Sequence, residues 1–166
     1  IMFGFKKESN YSKKESYKNI ANNLICALKE EKKSVFAFVS SSCNLSEIVG
    51  MIGQEASKKV KTLVVNVCFD GEAKNSLDLK DVKIVNASGL AENFENDLLK
   101  YKSEFDLILV SLNSILTKAE ALEYAKVCKE IIIVEKCTEC YYADYENMLA
   151  GFKTAGINPR GVITVC

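Results

Sequence analysis

The chain has 166 residues, 48% of them hydrophobic and 27% charged, which suits one soluble globular domain with a sizeable core. Lysine plus arginine balance aspartate plus glutamate at 22 each, so net charge offers no attraction to nucleic acid or to an anionic membrane. There is no histidine, which removes the commonest general base, the commonest metal ligand and any serine–histidine–aspartate triad.

In chain order, residues 2–14 (MFGFKKESNYSKK) are polar and aperiodic apart from Phe3 and Phe5. They predict a flexible N-terminal arm, with Lys6, Lys7, Lys13 and Lys14 as a solvated tail. Residues 15–166 then form the single domain. Glu15 to Lys29 is a helix with Tyr17, Ile20, Leu24 and Leu28 on one face. Ser34 to Ser40 is a buried strand, Ser41 to Asn44 a break, and Leu45, Ile48, Val49 and Ile52 recur at helical spacing. Thr62 to Val67 is the next buried strand, followed by a polar segment with an Asp70-Gly71 turn signal. Val82 to Val85, Phe105 to Val110, Glu130 to Glu135 and Gly161 to Val165 are the later strands. Helices lie between them: one from Ser88 over Leu90, Phe94, Leu98 and Leu99, then Lys118 to Val127. The last runs from Cys140 to Ala155, with Tyr142, Tyr145, Met148, Leu149 and Phe152 on its apolar side, and stops at Gly156 before Pro159.

Strands that are continuous apolar runs, alternating with helices, specify an α/β fold: a doubly wound, mostly parallel sheet flanked by helices on both faces. In such a fold the loop after the first buried strand meets a helix N-terminus, where a phosphate would bind. Here that loop has neither glycine nor lysine. No apolar run is long enough to span a bilayer and no signal-peptide pattern is present, so direct membrane insertion is not expected. Seven cysteines without an export signal read as reduced thiols of a cytoplasmic protein.

This order of elements over residues 15–166 resembles the nucleotide-binding domain of bacterial tyrosine kinases of the capsular polysaccharide type, within the ParA/MinD-like group of P-loop ATPases. Phe105 to Val110 is similar to the Walker B strand, Ile131 to Val134 to the strand after it, and Ala155-Gly156 with Gly161 to Ile163 to the closing helix and strand. Glu15, Lys18 and Ala21 stand where the resemblance implies Glu-x-x-Arg-x-x-Arg, a helix that supplies subunit contacts. The catalytic motifs depart from the pattern. Ser42-Cys43-Asn44-Leu45-Ser46 replaces the glycine-rich loop and its lysine, leaving Ser46 as the one candidate magnesium-binding hydroxyl. The Asp-x-Asp motif is Asn66-Val67-Cys68, the Walker B aspartate is Ser111, and Asn113-Ser114 follows. The resemblance also implies a tyrosine-rich tail, which is expected to be lacking because the sequence ends at Cys166.

Phosphoryl transfer needs a backbone cradle, a lysine on the β- and γ-phosphates and carboxylate-held magnesium. With all three missing, no ATP or magnesium cofactor is expected. The remnant of a nucleotide site is Ser41, Ser42, Cys43, Asn44, Ser46, Ser111 and Asn113. The expectation is a non-catalytic cytoplasmic binding or regulatory protein, monomeric or dimeric. Its partner would be a protein, such as an active paralogue or the cytoplasmic end of a membrane protein. Two alternatives stay open. One is a weak ATP-binding protein or tyrosine kinase with an atypical phosphate loop. The other is a thiol metal or redox site: Cys43, Cys68, Cys137, Cys140 and Cys166 all follow parallel strands, and Cys137-Thr138-Glu139-Cys140 is a Cys-x-x-Cys at a helix start. Against it, cysteine also serves as a small apolar residue, the use expected for Cys26 and Cys128. Tyr141 is expected to be exposed.

Overall fold

Runs such as VFAFV and TLVVNV carry an apolar or small residue at almost every position, so a strand made from them must be covered on both faces. The computed structural model describes residues 2–5, 10–69, 78–113 and 115–166, with side chains from residue 13 onward. The elements are β1 (Met2–Phe5), α1 (Asn10–Glu31), β2 (Val35–Val39), α2 (Leu45–Ser57), β3 (Thr62–Val67), β4 (Lys83–Ala87) and α3 (Ala91–Glu104). They continue with β5 (Leu107–Leu112), α4 (Ala119–Cys128), β6 (Ile131–Lys136), α5 (Tyr142–Ala155) and β7 (Gly161–Val165). Among the described residues the strands form one sheet of seven, in the order β1-β7-β6-β2-β5-β3-β4. Every pairing is parallel. The fold is the α/β arrangement expected.

Alternate residues of the central strands feed two cores. On one face Phe36, Phe38, Val64, Leu107 and Leu109 meet Ile20 and Leu24 of α1 and Val49 and Ile52 of α2. On the other, Val35, Val39, Val65, Val110 and Ile133 meet Phe94 of α3, Tyr124 of α4 and Met148 and Phe152 of α5. Phe36 and Phe38 are fully buried, each contributing about 1.5–3 kcal/mol of apolar transfer. The chain's one arginine ties the amino edge together. Arg160, just before β7, donates to both carboxylate oxygens of Glu31 at the end of α1 and to Glu130 before β6. The guanidinium bonded to Glu31 holds that carboxyl below its ordinary range.

Several expectations are corrected. The residues assigned to a flexible arm include a strand: β1 pairs with β7, Phe3 opposite Ile163. Without it β7 would present an open parallel ladder edge, and the extended MFGF segment satisfies that edge. The first helix starts at Asn10 rather than Glu15, because a helix already held by a buried face extends cheaply into polar residues. Lys6, Lys7, Asp70, Gly71 and Ser114 lie outside the described residues. β4 starts one residue later than expected and ends at Ala87, and β5 continues to Leu112, so Ser111 is within the strand. Leu90 and Leu99 are exposed: α3 buries Ala91, Phe94 and Leu98, and Leu99 lies a step further round the helix. Tyr142 is exposed too, because α5 buries Met148 and Phe152 and begins at the rim. Gly156 ends α5 as expected, with a left-handed φ of 71°.

Gly53 sets how closely α2 approaches the sheet. A Cβ there would lie 2.4 Å from Val64 Cγ2, far inside van der Waals contact with a stiff β-branched side chain. Alanine would gain about 1 kcal/mol of helix propensity, but overpacking costs about 1–3 kcal/mol and so close a clash belongs at the upper end. Gly53→Ala is therefore expected to lower the urea midpoint. The double variant G53A/V64A should lose less stability than the sum of its singles.

Candidate functional site

Strand order reverses at β2. The chain leaves it for β3, returns to place β5 between them, and then sets β6 on β2's other side. The loop following β2 therefore opens into the crevice at the carboxyl edge, where doubly wound folds bind ligands.

In this chain the loop is already engaged with itself and with β6. Val39 faces Ile133 in the β2/β6 register, so two residues further on Ser41 meets Glu135. The Glu135 carboxylate accepts from the Ser41 amide and the Ser41 hydroxyl, each at 2.8 Å, and from the Ser42 hydroxyl. Ser42 in turn accepts from the Lys136 amide at 3.0 Å. Ser40 Oγ takes the next two backbone amides, Ser42 at 3.0 Å and Cys43 at 2.7 Å. Asn44 caps α2, its side chain accepting from the Ser46 amide at 3.1 Å. The Leu45 amide donates to Asn113 Oδ1 at 3.1 Å. These N–H groups are the ones a phosphate loop would turn toward its ligand.

Behind the loop runs a row of neutral polar groups. Ser111 faces Asn66 across β5/β3, and Asn66 faces Asn86 across β3/β4. Asn66 Oδ1 accepts from Ser111 Oγ at 2.7 Å and from Ser46 Oγ at 2.8 Å. Its amide nitrogen donates to Cys68 Sγ at 3.0 Å and to Asn86 Oδ1 at 3.2 Å. Asn113 Nδ2 reaches Ser46 Oγ at 3.5 Å. Asn66 and Ser111 are buried, so their mutual bonding meets a need that a buried polar group must meet somehow.

The residues predicted from sequence thus come together: Ser41, Ser42, Cys43, Asn44, Ser46, Ser111 and Asn113 all line this crevice or bond to it. Sequence reasoning missed Ser40, Asn86 and above all Glu135. The available signal was a carboxylate closing an otherwise apolar strand, beside a run of serines ending the neighbouring one.

Among the described residues, the side chains of this crevice are not those that hold a magnesium-bound triphosphate. The amides that would cradle a phosphate have internal acceptors, a carboxylate stands beside them, and Ser46, Asn66 and Ser111 bring no charge to hold a divalent cation.

All five strand-following cysteines do lie at the carboxyl edge, but they separate into groups. Cys68 joins the asparagines. Cys140 Sγ lies 3.8 Å from Ser41 Oγ, and Cys43 Sγ 3.6 Å from Ser42 Oγ. Burial pushes the Cys140 thiol up, with Glu135 adding to the shift. Cys137 instead meets Cys166. Among the described residues no group of three or more cysteine, aspartate or glutamate side chains is arranged to hold a metal ion. Cys128 is buried and its thiol pushed up to about 12, whereas Cys26, expected to be a packing residue, is exposed. Tyr141 is exposed, as expected. Among the described residues no helix is long and apolar enough to cross a membrane.

No protein-family model and no curated protein matches this sequence. Solved structures do. The BceF tyrosine kinase domain superposes with a TM-score of 0.72 at 12% identity, over 91% of this chain and 76% of that one. The chimerical protein CapA2B2 gives 0.69 at 14% identity, over 96% and 86%. The kinase domain of the Escherichia coli tyrosine kinase Etk gives 0.67 at 12% identity, over 91% and 74%. The chain therefore has the fold of bacterial tyrosine kinase domains.

Replacing Glu135 tests the geometry of the loop. Glu135→Ala leaves an amide and two hydroxyls without their acceptor and is expected to cost about 1–3 kcal/mol in chemical denaturation. Sulfate, itself an acceptor of that size, should restore more stability to the variant than it adds to the wild type.

Proposed function

We propose that this chain is a non-catalytic relative of the bacterial tyrosine kinases, acting in the cytoplasm as a binding or regulatory protein. The observation that carries this is the engagement of the loop amides, by Glu135, Ser40, Asn44 and Asn113, in bonds a nucleotide would have to break. The neutral Ser46–Asn66–Ser111 row supports it from the magnesium side. Its partner is a protein, either an active paralogue or the cytoplasmic end of a membrane protein. Tyr141 and Tyr142, both exposed at the same edge as the filled loop, supply the kind of aromatic contact such interfaces use.

Calorimetric titration with ATP and magnesium is the direct test. No saturable binding and no phosphate release are expected. Turnover that disappears in Ser46→Ala would overturn the proposal and favour a kinase with an atypical loop.

Association follows from α1. Ala21, standing where the resemblance implies a second arginine, is buried against the sheet, so α1 lacks a charge there for a charge-assisted contact across a subunit boundary. Light scattering at micromolar concentration is expected to give a monomer or dimer. A stable ring would show that α1 keeps the subunit role.

A further inference from the structure

Cys137 and Cys166 each close one of two neighbouring strands. Lys136 faces Val165 in the β6/β7 register, and the ladder continues through the Cys137 amide, which donates to the Val165 carbonyl at 2.9 Å. The two cysteines are the next facing pair, and both are exposed. Neighbouring strands lie about 4.7–4.9 Å apart, within the Cα separation of about 4.4–6.8 Å that a disulfide accepts. The Cys-x-x-Cys spacing suggests a different pair, but the fold does not favour it. The Cys140 amide turns back to the Lys136 carbonyl at 3.0 Å, and its thiol lies by Ser41.

We propose that Cys137 and Cys166 are a reactive dithiol that a small-molecule disulfide, such as oxidised glutathione, converts reversibly to an intramolecular disulfide. One thiolate of the pair attacks a sulfur of the oxidant, forming a mixed disulfide and releasing one small thiolate. The other then attacks the protein sulfur of that mixed disulfide and expels the second. The protein loses two protons and two electrons; the oxidant gains the electrons and leaves as two thiols. Hydrogen bonding between the two thiols holds that of Cys137 above its ordinary range, so the reaction quickens as pH rises through the thiol range. The bond would staple β7, with β1 beyond it, to β6 next to the loop held by Glu135.

The test is treatment of the full chain with oxidised glutathione at about pH 8, where thiolates begin to form. Non-reducing digestion and mass spectrometry follow. The expected product is a peptide pair joined through Cys137 and Cys166, with two of the seven thiols lost to a colorimetric thiol reagent and regained with dithiothreitol. Cys140→Ser should leave that link intact. Cys166→Ser should abolish it and leave Cys137 free or carrying glutathione. Glutathione adducts on both cysteines without a link, a link from Cys137 to Cys140, or a link between two chains would each overturn the proposal. None of these results depends on whether the chain binds nucleotide.

Discussion

A carboxylate only 6% exposed costs several kcal/mol to place in a protein unless donors surround it. A loop that turns from a strand into a helix has the converse problem, amides with no partner in either element. Glu135 and the Ser40–Asn44 loop solve both at once. The position of Glu135 depends on the parallel register of β2 and β6, and that register depends on the apolar runs packed on either face. The loop therefore takes its shape from a residue far away in sequence and beside it in space. The chain itself supplies the acceptors for these amides.

The row from Ser111 through Asn66 to Asn86 follows the same logic without charge. Asparagine both donates and accepts, so Asn66 can bond at once to the neutral Ser46, Ser111, Cys68 and Asn86. Aspartates in these places would need a cation, or would repel one another across adjacent strands. The carboxamide and hydroxyl groups satisfy one another's hydrogen bonds within the crevice.

Much of the fold was legible in the sequence because it rests on period and on length. Short, fully apolar runs such as Leu107 to Val110, separated by helical patterns, fit strands of a sheet covered on both faces. The helices were placed to within a few residues by their apolar spacing. The site was legible only in outline. The identities of Ser46, Asn66 and Ser111 announce what is missing, but not what replaces it, because Glu135 acts through a cross-strand register that no local pattern encodes. The tyrosines show the opposite error. Tyr142 fits the helical spacing of Met148 and Leu149, yet the helix begins just where the core ends. The first strand escaped notice because its partner, β7, lies at the far side of the domain in sequence, and a few apolar residues beside lysines look like a tail.

That distant pairing bears on the order in which the domain assembles. β1 lies at residues 2–5 and its ladder partner at 161–165, so almost the whole chain must be in place before the two can meet. Loop closure of that length is slow, and long-range parallel pairing contributes late. The strand at residues 2–5 is thus the last to dock, as an outer shelf added to the rest of the sheet. By the same token it is the piece that can detach while everything else stays folded, a local opening whose free energy lies well below that of the domain as a whole.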